Sequence, residues 1–375
     1  MAKDDTVVIL DQASGYLQID MLDALSKKYK KCVIIAGTIV ERETKLSEDY
    51  VWHKIVKYDK KTPIRRIYTW VLASLQMLFL LLFKYRTARV IAITNPPFAP
   101  FVPYMLKLNY DVLVYDLILD ALVNFSYVKK KSWIVEQAES LSKKMFKNAQ
   151  NIYTLTPELA EQVRNYTDKE IKIVPIWTNN DFFKTINKDE NLIIEKLQID
   201  KSKFVVTYSG NLGKTHPVEL IVALAEVCTE ENFYFIIIGG GHKFELIKSL
   251  IAEKNISNIT LLPWQPIELL PHNMQAGDVN VVTLEEDASH LSIPSKTFNL
   301  LSVGKPILAL CSEKSALAKL IDTHACGKSF KSKDLLLIKD FLIELSINQK
   351  KYDDYAENAK KASFSFTKEN AKSFL

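Results

Sequence analysis

The sequence predicts an α/β protein of two successive doubly wound, Rossmann-like halves facing a central cleft. Three observations lead there. Short apolar runs ending in turn residues alternate with amphipathic helical stretches. The alternation stops near residue 180 and restarts near 201. A chain of 375 residues is long for one core and comfortable for two.

In order, TVVILD reads as a buried strand, followed by a turn at Ser14-Gly15-Tyr16 and the amphipathic helix IDMLDALSKKY. CVIIAG, VIAIT and DVLVYDL are further strands. This rhythm implies a parallel sheet covered on both faces. A polar-faced helix over roughly 131–148 precedes the strand NIYTLT, Pro157 opens the helix PELAEQVRNY, and IKIVPIW closes a first domain of residues 1–180. Residues 181–200 are polar and aperiodic and are expected to form the linker. The second domain, 201–355, repeats the pattern: FVVTYSG, a helix from Pro217, FYFIIIGGG, a helix from Phe244, NITLLPW, a helix near Glu268, DVNVVTL, a helix from Ser295, and PILALC. In open α/β sheets ligands bind beyond the carboxyl ends of the strands, so strand-to-loop junctions are the places to look for chemistry.

Composition narrows the class. Hydrophobic residues at 48% and charged residues at 25% are those of a soluble globular protein. The cysteines 32, 228, 311 and 326 are far apart and form no CxxC pair, as expected of reduced core residues in a cytosolic protein. Acids directly before the first apolar run mark a first strand rather than a signal peptide. The net charge of +5 is uneven: residues 50–150 hold 16 Lys/Arg against 6 Asp/Glu. Such a patch suits nucleic acid or an anionic membrane. Without a nucleic-acid motif, and with so apolar a region, membrane is preferred and no nucleic-acid partner is expected.

IYTWVLASLQMLFLLLF, residues 67–83, carries no charge, with Lys60, Lys61, Arg65 and Arg66 before it and Lys84, Arg86 and Arg89 after. Spanning a bilayer would put TVVILD and VIAIT, strands of one sheet, on opposite sides, so a transmembrane segment is rejected. A buried core helix and an interfacial helix with Trp70 and Phe side chains in the headgroup region both fit. The cluster Lys129-Lys130-Lys131-Ser132-Trp133, with Lys143, Lys144 and Lys147, favours the second.

Three loops of the second half follow strands and hold atoms suited to phosphate. In Ser209-Gly210-Asn211-Leu212-Gly213-Lys214, glycines let the backbone approach an anion and Lys214 adds charge. Gly239-Gly240-Gly241 holds more glycine than a turn needs. Ile293-Pro294-Ser295-Lys296 opens a helix with Ser295 as the expected N-cap, and a cation in a first turn opposes the helix dipole unless an anion lies between them. No HExxH, GxSxG, Walker or GxGxxG pattern appears, and the six histidines form no pair with metal-ligand spacing, so no metal or cofactor is expected.

YSGNLGKTH, FYFIIIGGG, the stretch from LLPW to AGDVNVV, and IPSKTFNLLSVGKPILA resemble, in order and spacing, glycosyltransferase family 4, in its branch of bacterial transferases building O-antigen, capsule and exopolysaccharide units. In the first half ITNPPF, VYDLILDAL, IVEQAESLSKKMFKNAQNIYTLTPELAEQV and IKIVPIWTNNDFF agree. The resemblance implies the GT-B fold, with residues 356–375 as a terminal helix crossing back onto the first domain. It also implies a retaining, metal-independent transfer from a nucleotide-diphosphate sugar, UDP-sugar favoured over GDP-sugar. The acceptor would be an undecaprenyl-type lipid-linked glycan at the cytoplasmic face of the cell membrane. Gly15, Gly210, Asn211, Gly213, Lys214, Ser295 and Lys296 are assigned to the donor diphosphate. Asn299 and Ser292 are assigned to its sugar and ribose, and Gly240, Trp264 and Gln265 to the base. Asp116 and Asp120, at and after the end of DVLVYD, are the candidates for acceptor activation. Leu291 and Asn299 stand where many members carry two glutamates, and Asn211 and His216 where many carry Arg and Lys. A non-catalytic subunit supporting a partner transferase and, below it, a nucleotide-sugar epimerase are the other readings.

Overall fold

The computed structural model describes residues 5–117, 133–229, 232–285, 293–331 and 334–375. The chain forms two compact units, Met1–Ile176 with Lys368–Leu375, and Trp177–Thr367.

The first unit contains the strands β1 (Thr6–Leu10), β2 (Ala13–Gly15), β3 (Lys31–Ala36), β4 (Thr38–Val40), β5 (Val51–Lys54), β6 (Arg89–Ile93), β7 (Tyr110–Val114), β8 (Ile152–Thr154) and β9 (Ile171–Ile173). Seven of them form a parallel sheet in the order β5-β3-β1-β6-β7-β8-β9, while β2 and β4 make a small parallel pair. Val7, Val8, Ile9 and Leu10 are wholly buried, as a central strand covered on both faces requires. The chain winds outward from β1 in both directions, so the crevice of this sheet lies between the carboxyl ends of β1 and β6. The edge strand Val51–Lys54 has no apolar run and is invisible to sequence reading; its residues alternate between half-buried and exposed.

Pro63–Lys84 is one helix, started by Thr62, whose side chain accepts from the Arg65 amide at 3.2 Å, and by Pro63 at its first position. Thr69, Ala73, Met77 and Leu81, spaced by four, form its buried stripe, and the last three pack with Val8, Leu10, Val33 and Ile35 of the sheet. Ile64, Ile67, Tyr68, Val71, Leu75, Phe79, Leu82 and Phe83 remain exposed. The core-helix reading therefore holds for one narrow stripe only. By length and composition alone the helix is apolar enough to cross a membrane. The helix Trp133–Asn148 follows; Lys129, Lys130, Lys131 and Ser132 lie outside the described residues.

The second unit holds β10 (Phe204–Asn211), β11 (Phe233–Gly240), β12 (Ile259–Leu262), β13 (Val279–Thr283), β14 (Ile307–Leu310) and β15 (Gly327–Phe330), a parallel sheet ordered β12-β11-β10-β13-β14-β15. Its crevice lies between β10 and β13. Two boundaries differ from expectation. Residues 181–200 are not a free linker: Asn191 caps the short helix Leu192–Lys196 through the amides of Ile193 and Ile194, and both isoleucines are buried with Val205, Ile236 and Ile238. The terminal helix, Gln349–Ser363, belongs to the second unit, where Lys360 crosses Gly304 and donates to the Ser302 carbonyl at 2.7 Å. Only Lys368–Leu375 joins the first unit, with Phe374 buried against Tyr153.

Candidate functional site

The carboxyl end of β10 is tied to that of β11: Gly210 pairs with Gly239 and Asn211 with Gly240, and the Leu212 amide donates to the Gly240 carbonyl at 2.9 Å. A Cβ at Gly239 would lie 1.9 Å from the Gly210 carbonyl oxygen, so glycine is required for the two strands to run together to their ends. The side-chain amide of Asn211 occupies the space that Cβ atoms at Gly213 and Gly241 would fill, 2.7 Å from each position. Two of the glycines expected to admit a ligand thus admit Asn211. Tyr208, fully buried, donates its hydroxyl to the Asn211 carbonyl at 2.7 Å and holds the loop from beneath.

Into this loop comes Lys296, the first residue of the helix Lys296–Val303. Its Nζ lies 3.2 Å from the Cβ position that Gly210 leaves empty, and 3.4 Å above the centroid of the Tyr208 ring. The stem of the side chain is partly exposed, but the ammonium is enclosed and has no hydrogen-bond partner among the described residues. Burial pushes its pKa well below the usual lysine value. Among the described residues the ring face of Tyr208 is what meets this nitrogen, so the cost of keeping it charged out of water is only partly offset. Ser295 precedes the helix without the expected side-chain cap; its backbone is helical, and the residue is exposed.

His216 stands at the same end. Its Nδ1 is 2.8 Å from the Thr283 carbonyl at the end of β13; burial first, and then the charges of Lys296 and Lys243, lower its pKa against the Thr283 contact, which raises it. Lys243 donates to the His216 carbonyl at 3.0 Å and to Glu219 at 2.8 Å, bracing the turn that carries Lys214. Lys214 itself is exposed on that turn. Lys305, the later lysine of IPSKTFNLLSVGKPILA, faces elsewhere: it donates to the Gln275 and Gly277 carbonyls at 2.8 and 2.7 Å, closing the end of the helix Leu270–Gln275.

Trp264 packs its indole edge where a Gly240 Cβ would be, 2.7 Å from Nε1, and leaves 59% of its surface exposed. Gln265 has both ends of its amide engaged, by the Pro263 carbonyl and Lys196. Asn299 is buried, its Oδ1 accepting from Thr178 at 2.7 Å. Ser292 and Asp120 lie outside the described residues.

Gly15 and Asp116 belong to the first unit. Gly15 caps the helix Tyr16–Leu25, its amide donating to Gln18 at 2.9 Å; a Cβ there would touch only the Val40 carbonyl at 3.5 Å, so nothing within the described residues demands glycine. Asp116 follows β7, its amide donating to Thr94 Oγ1 at 3.3 Å; the residue is exposed at the surface, yet the protein packed around it raises the carboxyl to about 6 by desolvation. Sequence reading missed Asp11 and Tyr208. Asp11, at the end of β1, is buried, accepts from Asn95 Nδ2 at 2.7 Å, and is raised to about 7 by desolvation. An acid closing an apolar strand, and a lone tyrosine before a Ser-Gly turn, were the available signals. Among the described residues no three His, Cys, Asp or Glu side chains gather as a metal site.

Residues 189–362 match the family model for glycosyl transferases group 1. Two curated relatives align with the chain. The putative colanic acid biosynthesis glycosyl transferase WcaI of Escherichia coli (strain K12) is 22% identical over 249 residues, and the probable glycosyltransferase WbjE of Pseudomonas aeruginosa is 24% identical over 245. Each alignment takes in 64% of this chain but spans only 61% of the relative's length. Among solved structures, sucrose-phosphate synthase from Thermosynechococcus elongatus superposes with a TM-score of 0.74 at 14% identity, covering 98% of this chain and 96% of that one. Anabaena Alr3699/HepE in complex with UDP and glucose gives 0.71 at 13%, covering 98% and 97%. WaaG, a glycosyltransferase involved in lipopolysaccharide biosynthesis, gives 0.66 at 14%, covering 98% and 99%. These likenesses give the fold, that of the GT-B glycosyltransferases.

Proposed function

We propose that this chain, which carries a glycosyl transferases group 1 domain over residues 189–362, is a retaining, metal-independent glycosyltransferase. Its donor is a nucleoside-diphosphate sugar, UDP-linked in preference to GDP-linked, and its acceptor a lipid-linked glycan at the cytoplasmic face of the membrane. Its place is in cell-surface polysaccharide biosynthesis, which the likeness to WcaI, of colanic acid biosynthesis, and WaaG, of lipopolysaccharide biosynthesis, supports. HepE binds UDP and UDP-glucose, which favours uridine.

The observation that carries the reading is the enclosed ammonium of Lys296, without a hydrogen-bond partner among the described residues, on the side of Gly210 that a Cβ would occupy. As the bond from sugar to diphosphate breaks, charge accumulates on the departing β-phosphate. A cation already stripped of water and fixed at that place interacts with the growing charge far more strongly than a solvated one. The anion restores the proton affinity that burial removes, so Lys296 is charged when it is needed. Lys214, on its exposed turn, adds a second positive charge, and the helix beginning at Lys296 directs its dipole to the same phosphate. Trp264, exposed beside Gly240, offers a face on which the base stacks. In the first unit Asp116, with a carboxyl raised to about 6, is assigned to the acceptor hydroxyl as general base. The exposed apolar face of Pro63–Lys84, between Arg65, Arg66 and Lys84, is assigned to the anionic leaflet.

A thermal-shift panel of UDP, GDP and their sugars tests the donor. A ligand that binds only the folded protein adds about 2.7 kcal/mol at a hundred times its dissociation constant, so UDP and a UDP-sugar should raise the melting temperature by several degrees. No shift with any member of the panel at millimolar concentration would remove the donor assignment.

A further inference from the structure

The first unit has a second feature at the carboxyl edge of its sheet that neither the diphosphate site nor the lipid-facing stripe uses. Four segments leave that edge together. Gln12 follows β1, Tyr58 follows β5, Phe98 follows β6 and Asp116 follows β7, and these strands are all parallel. Tyr58 and Trp70 stack with ring centroids 5.8 Å apart and planes at 21°, and Phe98 meets Trp70 edge-on at 6.5 Å. Phe98 is exposed, and Tyr58 and Trp70 are half-buried.

The wall is held rigidly. The Gln12 side-chain amide donates to the Val56 carbonyl at 3.1 Å and the Thr69 carbonyl at 3.0 Å, so one group ties down the loop before Tyr58 and the helix turn before Trp70. Thr69 Oγ1 accepts from the Asp59 amide at 3.3 Å from the other side. Gln12 is anchored in turn, its backbone amide donating to the Asn95 carbonyl at 2.6 Å. Burial raises the Tyr58 hydroxyl above the usual phenol value, and the nearby charges of Arg66 and Asp116 act on it in opposite directions, Arg66 lowering and Asp116 raising it. The indole N–H of Trp70 is buried and finds no acceptor among the described residues.

We infer that the Tyr58–Trp70–Phe98 wall, with Asp116 and Arg66 at its rim, is a carbohydrate subsite that receives a pyranose ring of the acceptor. A pyranose has an apolar face of C–H groups and a rim of hydroxyls. Aromatic rings with a negative face take the former, and a carboxylate and guanidinium take the latter. A purely lipid occupant has no use for the charged rim, and a nucleotide phosphate is repelled by Asp116. Trp70 sits on the same helix whose opposite face is exposed and apolar, so one rigid element carries both the lipid-facing stripe and the sugar-facing wall. The inference deepens the proposed transfer and rests on it for the identity of the sugar as acceptor.

Saturation-transfer NMR with methyl glycosides of glucose, galactose, mannose and N-acetylglucosamine tests it on the full chain. At least one should show transfer to its ring protons. Trp70→Ala should weaken that binding about tenfold, the worth of one good aromatic contact. Trp70→Phe should keep most of it, and the surface change Phe98→Ala should reduce it without altering the melting temperature. Absence of transfer from every glycoside, or transfer that Trp70→Ala and Phe98→Ala leave unchanged, overturns the subsite. UDP binding measured on the same samples reports the donor site independently, so loss of one reading is told apart from loss of the other.

Discussion

Replacing Lys296 by methionine should make the free protein more stable and the proposed transfer much slower. The side chain runs past Gly210 with Cδ at 3.2 Å and Cε at 3.7 Å from the absent Cβ, so an unbranched apolar chain of similar length keeps the packing. What changes is the enclosed nitrogen. Holding an ammonium out of water without a counter-ion costs several kcal/mol in a real protein, and holding it neutral instead costs 1.36 kcal/mol for each unit by which its pKa has dropped. The Tyr208 face returns about 2 kcal/mol of this. Methionine removes both contributions, for a net gain of about 1–2 kcal/mol, or about 2–8 °C in melting temperature for a unit of this size. The difference depends on pH with a definite sign. The folded-state pKa of Lys296 lies below its unfolded value, so between the two the unfolded chain binds more protons and stability rises with pH. The methionine variant lacks that slope, and its advantage should shrink as pH is raised from 7 towards about 10. Transfer should fall by about 10²–10³, equivalent to about 2.7–4 kcal/mol of lost stabilisation of the departing phosphate. Differential scanning calorimetry across pH, with and without UDP, reads the stability differences, and a transfer assay with a UDP-sugar reads the rate. A variant that melts lower than the parent, or that is still stabilised by UDP to the same extent, would refute the argument that Lys296 is a strained cation kept for an anion.

Two further outcomes are expected. A general base must be ionised, so with Asp116 raised to about 6 the turnover of the parent should decline as pH falls through about 6. Asp116→Asn should lower kcat about 10²–10⁴-fold and abolish that acid limb; an unchanged limb in the variant shows that another group titrates. The double change Phe79→Glu and Phe83→Glu alters two exposed rings whose centroids lie 4.6 Å apart. Folding stability should stay within about 0.5 kcal/mol per site. Sedimentation with anionic liposomes at low salt should be lost, because each buried ring supplies about 1.5–3 kcal/mol of interfacial binding. Equal pelleting of variant and parent would dispose of this face as the membrane contact.

Local chemistry made much of the second unit legible in advance. The strands of a sheet covered on both faces are continuous apolar runs, and FVVTYSG, FYFIIIGGG and DVNVVTL announce themselves by that alone. The glycines at their ends mark where backbone must come close to something. The site residues divide differently. Lys296 was readable because a cation at the start of a helix contradicts the dipole, a conflict visible in six letters. Tyr208 was not, because nothing in a strand's sequence says that its aromatic ring will underlie a lysine 88 positions later. Gly213 is expected at the diphosphate and Gly241 lies in a glycine-rich loop, whereas the fold gives the space at both to Asn211. Asn299, expected at the sugar, bonds Thr178 instead, since a helix residue's partner is set by what packs against its face.

The order of strands and helices, the restart of the pattern and the glycine and lysine loops were thus determined by the chain itself, since they rest on periodicity and backbone sterics between near neighbours. The tertiary structure alone decided the rest. It buried Ile193 and Ile194 and turned an apparent linker into part of the second unit, and it placed Gln349–Ser363 there too. It covered one stripe of Pro63–Lys84 and left the other faces open. It enclosed the Lys296 ammonium beneath Gly210 and against Tyr208. Desolvation is the reason: the protonation and reactivity of a buried group depend on which distant side chains exclude water from it, and no local pattern of residues records that.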